Sequence, residues 1–208
     1  MATAAYNKSV FLNIPLDRRY RPLLHAIVFA IYDCGFVARC ALEDEDTGEV
    51  RIHKIYRLMS ESKYGIHDIS RTSLDSKHRL PRFNMPLELG IFLGAKQFGG
   101  AKHNSKRILV LDLHSYRYQI FCSDIAGQDI RFHGNRIVEA IHSVRNWLRN
   151  APDKKGIAFP GAKQICQRHE SFQRDLPRLC SVWSLDGTNL EFNDYVTLVS
   201  SWLKTHPR

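Results

Sequence analysis

The chain has 208 residues and a formal net charge of +9 at pH 7. Its 44% hydrophobic and 25% charged residues exclude a disordered or fibrous chain and supply the core of one α/β domain with a small appendage. The positive balance calls for an anionic partner, whether a nucleotide, a nucleic acid or an acidic protein, and does not choose among them.

The elements follow in order. Val10-Phe-Leu-Asn-Ile14 is a short apolar run that ends in Pro15-Leu-Asp17, a buried first strand entering a loop. Tyr20 to Cys34 has helical spacing at Leu23, Leu24, Ile27, Val28 and Ile31, with Pro22 near its start and Gly35 just past its end. Phe36 to Leu42 is a second strand, closed by the acidic turn Glu43–Asp46. Arg51 to Ser62 is an amphipathic helix with Ile52, Ile55, Tyr56 and Met59 on one face. Tyr64-Gly-Ile-His-Asp-Ile-Ser70 is a third strand, and Arg71 to Pro81 is a long polar loop. Asn84 to Lys96 opens as a buried helix, with Asn84 as N-cap and Pro86 at the first helical position. Gly99 to Lys106 reads as a loop. Arg107 to Leu113 is a continuous apolar strand of the kind buried on both faces. Tyr116 to Ile125 reads as a strand or a short helix, with irregular structure plus helix preferred, and Arg136 to Arg149 reads as a helix. Two further helical patterns span Gly161 to Leu176 and Leu190 to Leu203.

Strands alternating with helices at this pace predict a doubly wound, mostly parallel, flavodoxin-like sheet over residues 1–150. Residues 151–208 then form a C-terminal helical appendage, packed on the core or used in a homo-oligomer. The five cysteines are odd in number and form no Cys-x-x-Cys, so they read as reduced thiols. The ten histidines lack ligand spacing, which argues against a zinc or other metal site. Met1-Ala-Thr-Ala-Ala5 has no basic leader, and the apolar run from Leu23 to Ile31 is too short to span a bilayer. A cytoplasmic protein with no membrane partner follows as an expectation.

In an open α/β sheet, ligands bind in the crevice outside the carboxyl ends of the strands. That rule selects Asn13 and Asp17 after strand one, Arg39 and Glu43 after strand two, and Asp68, Ser70 and Arg71 after strand three. The next loop adds Arg82 and Asn84, the helix start adds Glu88, and Asp112 and His114 end strand four. Guanidinium forks suit phosphates, and carboxylates suit sugar hydroxyls. Glu88 is the one charge in an apolar helix start, placed near the positive end of the helix dipole, which favours its ionised form. Such a group serves either as a cap or as a nucleophile or stabiliser of a cationic sugar centre. Structural alternatives stand beside the others: a turn bond for Asp68, surface pairs for Arg39 and Arg71, an Asp68 partner for Arg82, and a turn cap for Asn13. No dinucleotide glycine fingerprint, P-loop or Gly-x-Ser-x-Gly elbow occurs. Arg131, Arg136, Arg145 and Arg149 give some footing to nucleic-acid binding, but the absence of a reader motif argues against it.

Asn84-Met-Pro-Leu-Glu-Leu-Gly90 resembles the segment of nucleoside 2-deoxyribosyltransferase-like proteins in which Glu-Leu-Gly opens a helix after a small loop. A glutamate at a comparable helix occurs in TIR-type domains that cleave NAD. Tyr64 to Ser70 is similar to the strand that both families place beside that helix. Residues 10–149 are also similar to a set of bacterial proteins with a Phe-Leu-Asn-x-Pro start and an Arg-Phe-Asn-Met-Pro-x-Glu-Leu-Gly segment. The resemblance implies N-glycosidic cleavage or transfer, with Glu88 as nucleophile or stabiliser and Asp68 placing the sugar. Unlike the transferases, this chain is rich in arginine around the crevice. That favours NAD or a nucleotide as substrate or ligand, with no further cofactor, and Arg39, Arg71 and Arg82 on its phosphates. A bacterial antiviral role is a further implication. A module that senses a nucleotide without turnover is the alternative. The resemblance leaves the C-terminal helices uncovered.

Overall fold

A computed structural model describes residues 4–72, 74, 81, 83–151 and 159–208. Five strands, β1 (Ser9–Asn13), β2 (Val37–Arg39), β3 (Tyr64–Asp68), β4 (Arg107–Asp112) and β5 (Arg131–Phe132), form one sheet in the order β2-β1-β3-β4-β5. Every neighbouring pair is parallel. This is the doubly wound order whose ligand crevice lies where β1 and β3 diverge. Helices α1 (Arg21–Asp33), α2 (Arg51–Ser60), α3 (Asn84–Phe98), α4 (Gly100–Asn104) and α5 (Ile137–Arg149) make the connections or flank the sheet. Helices α6 (Ala162–Val182) and α7 (Phe192–Thr205) end the chain.

Strand periodicity divides the core. Val10, Leu12, Tyr64, Ile66, Leu109 and Leu111 face one side, where they join Ile27, Phe29 and Ile141. The intervening residues face the other side: Phe11 packs with Leu58 and Phe92, and Val110 packs with Met85 and Leu89. Alternate residues of a strand point to opposite faces, so this split follows from period two alone. Helices α6 and α7 belong to the first core. Phe29 packs against Phe172 and Trp202, at centroid distances of 5.5 and 5.9 Å. The C-terminal helices are therefore docked on α1 as part of a continuous hydrophobic cluster.

Several expectations are corrected. Residues 100–104 form the short helix α4 rather than a loop. The two-residue strand β5 has no period to read and was not anticipated. β2 is only three residues long, an edge strand paired on one side with Val37 exposed. Between β4 and β5 the expected irregular structure with some helix is found, as two 3-10 turns, Arg117–Ile120 and Ser123–Ile125. α6 continues through Pro177 to Val182. Phe83, not Asn84, is the cap residue of α3, and no side chain bonds there. No helix among the described residues is long and apolar enough to cross a membrane.

Candidate functional site

A helix that follows a parallel strand starts at that strand's carboxyl edge. Arg51 at the start of α2 and Asn84 at the start of α3 are thus brought to the edge that carries Asn13 at the end of β1. Together with Leu16, Arg71 and Glu88 they line a cavity of about 130 Å³.

Glu88 is only 6% exposed. It makes no hydrogen bond or ion pair to any described residue. Burial pushes its carboxyl up to about 7, against the opposing pull of Arg51. This corrects the expectation that the helix dipole keeps it ionised. The helix begins at Asn84, so Glu88 lies beyond the first turn, where the dipole's influence has faded and desolvation prevails. Pro86 is the third helical residue rather than the first, and it is still tolerated there. The first helical bond runs from Leu87 N to Phe83 O, 3.1 Å, so no donor is missed at Pro86.

Asn13 is the best-oriented side chain in the cavity. Its Nδ2 donates to Met85 O at 2.8 Å and meets His67 Nδ1 at 3.1 Å. Both amide hydrogens are thereby used, and Oδ1 remains buried without a partner. A buried acceptor left open is a costly feature. His67 is held neutral behind it, pushed down to about 3 by burial and by Lys106.

Arg71 lines the cavity and pairs loosely with Asp17, Nε lying 3.4 Å from Oδ2. That contact leaves Nε buried without a hydrogen bond. Arg51, which the sequence reading passed over, makes no bond to a described residue and gives the cavity a second guanidinium. Its signal was positional: it is the first helical residue after strand two.

Other predicted residues lie elsewhere. Asp68 is fully buried and faces α1, not α3. Tyr20 Oη donates to its Oδ2, the Ser70 N–H donates to its Oδ1 at 2.8 Å, and His133 Nε2 sits 3.0 Å away. The His133 contact is an approach of opposite polarity rather than an aligned hydrogen bond. Asn135 N–H donates to His133 Nδ1, so the neutral ring carries its proton on Nε2, toward Asp68. Desolvation and the Asp68 charge together hold the Tyr20 hydroxyl well above its ordinary value. Asp68 is therefore absent from the cavity lining and serves as the anchor of α1 to β3. Ser70 is buried just past β3, its Oγ unpartnered and also outside the lining. Arg39 is engaged by Glu43, Nε to both carboxylate oxygens at 2.8 Å, and by Glu61 at 3.1 Å. Asp112 is held by Arg117, which also donates to Ile69 O at 2.9 Å and so braces the exit of β3. Arg82 lies outside the described residues.

The cavity thus combines the Glu88 carboxyl, raised to about 7, with two guanidiniums and the amide of Asn13. Such a set can hold an anionic sugar derivative and place a carboxylate beside it. Compared with known proteins, the chain matches no family model, no curated protein and no solved structure.

Proposed function

We propose that the protein binds NAD or a nucleotide in this crevice and cleaves or transfers its N-glycosidic bond. The observation that carries the reading is Glu88, a buried carboxyl without a partner among the described residues, facing a cavity with Arg51 and Arg71. A volume of about 130 Å³ is below the ~300–1,000 Å³ of most small-molecule clefts, so at most the sugar enters and the rest of the ligand lies outside the cavity. As the bond from the anomeric carbon to the base nitrogen breaks, its electron pair leaves with the base. Glu88 bonds to that carbon or balances its positive charge until water or another acceptor adds. Incubation with NAD and with nucleotides, followed by chromatography for free base, tests this. The expected result is base release that falls about 10²–10³-fold in Glu88→Gln, the usual scale for loss of a charge-stabilising group. Equal release by the two proteins would remove Glu88 from the mechanism.

A second reading is favoured by one specific fact. Glycosidic hydrolysis commonly uses two carboxyl groups, and Glu88 is the only one in the lining among the described residues. The same crevice would then hold a nucleotide as a signal without turnover. Thermal stabilisation by the nucleotide with no product formed distinguishes this reading, and no stabilisation by any nucleotide would count against both.

A further inference from the structure

A second cavity of about 280 Å³ opens where the start of α1 and the start of α5 meet α6 and the turn before α7. Arg18, Arg21, His25, His169, Gln173 and Thr188 form its polar lining, and none of them lines the Glu88 crevice. We propose that this cavity is a separate binding site for a small organic phosphate.

Charge is the first ground. Two guanidiniums line the cavity, and no carboxylate does among the described residues. Arg21 donates to Thr188 O at 2.9 Å and to Asn189 Oδ1 at 3.3 Å, both neutral acceptors, so its position is fixed while its charge is left uncompensated. Arg18 is exposed and makes no hydrogen bond or ion pair to a described residue. Of the acidic side chains in the adjoining turns, Asp17 and Glu191 line a neighbouring cavity with Arg21 without an ion pair to it, and Asp17, Glu139 and Asp186 are engaged elsewhere. Asp17 receives the N–H groups of Arg19 and Tyr20 and pairs with Arg71. Glu139 pairs with Arg136 at 3.2 Å, and Asp186 receives the N–H and hydroxyl of Thr188. In a chain already carrying +9, two adjacent uncompensated cations repel each other unless an anion joins them.

The second ground is the floor of the cavity. His25 stacks on Tyr195 at 3.8 Å, and His169 is buried with Gln173 Nε2 at 3.3 Å from its Nε2. Burial keeps both imidazoles neutral, pushing each down to about 4. They therefore offer neutral donor and acceptor atoms beside the arginines, as the hydroxyl-bearing body of a phosphate ester requires. Pro22 and Ile137 add an apolar wall, and each lies in the first turn of a 13-residue helix whose positive end favours an anion. Arginine forks match phosphate oxygens in pairs.

The test is a titration of the full chain with inorganic phosphate and with glycerol phosphate at constant ionic strength, read by the imidazole NMR signals of His25 and His169. Saturable shifts of both signals are expected, with tighter binding of the ester. Arg18→Ala, at an exposed position, should weaken that binding about tenfold, Arg18→Lys less, and Glu88→Gln not at all. Absence of saturable shifts, or equal shifts in wild type and Arg18→Ala, would overturn the proposal. The readout is independent of base release, so it stands or falls apart from the reaction proposed for the crevice.

Discussion

Glu88 shows how a single burial decides chemistry. Its carboxyl titrates at about 7 in the fold against an ordinary value of 4.5, so the native protein holds a proton there that the unfolded chain releases. Between these two values the native state binds more protons, and stability falls as pH rises. Denaturant unfolding of wild type and Glu88→Gln should therefore show the variant gaining relative stability from pH 4.5 to about 7, with no further gain above. A difference that stays constant over that range would mean the carboxyl is solvated. Asn13, Arg71, Asn84 and Glu88 were legible because each follows a strand or opens a helix at the crevice edge. Asp68 was misplaced because the edge rule ignores which face a strand residue takes. It is one residue beyond His67, and period two turns it from α3 toward Tyr20 and His133. Arg39 was misplaced because a guanidinium near an acidic turn is captured by it.

At the scale of elements, the seating of α3 on β3 sets where Glu88 stands. Gly65 makes that seating possible: a Cβ there would come within 2.8 Å of both Phe92 Cζ and His67 Nε2. Phe92, on the inner face of α3, is fully buried, and Lys106 lies 4.4 Å above its ring, bonded to Met59 O at 2.6 Å. Neither neighbour has room to withdraw. Gly65→Ala should destabilise the protein by about 1–3 kcal/mol through overpacking and should also shift the α3 amide signals in NMR. A neutral effect on the denaturation midpoint would show that the α3–β3 contact is looser than described. The amphipathic helices were readable from their spacing. Strand β5, with two residues, carries no periodic signal, and α4 is too short to present a face. Pro177 reads as a helix end by its missing donor, yet packing of Cys180 in the main core carries α6 past it.

For the molecule as a whole, the wound parallel α/β architecture follows from the alternation of apolar strands and helices, which the sequence carried openly, whereas the position of β5 in the strand order does not. The role of the last helices was less open, since an amphipathic helix does not name the surface it covers. Phe172 and Trp202 bind them to Phe29 of α1. Because these residues share one core with the sheet, Phe172→Ala should lower global stability by about 3–5 kcal/mol, read as one cooperative unfolding transition. Two separate transitions would mean that residues 162–205 fold independently. The same docking places α6 beside α1, so the phosphate cavity depends on the C-terminal helices while the crevice lies across the sheet.

The most direct test of the Glu88 reading is the pH dependence of base release from NAD and nucleotides at limiting substrate. If the ionised carboxylate attacks or stabilises the sugar, the wild-type rate rises through a pH of about 7 and levels off, and Glu88→Gln loses both the rate and the inflection. A wild-type profile that is flat through that region, or one that Glu88→Gln reproduces, would contradict it.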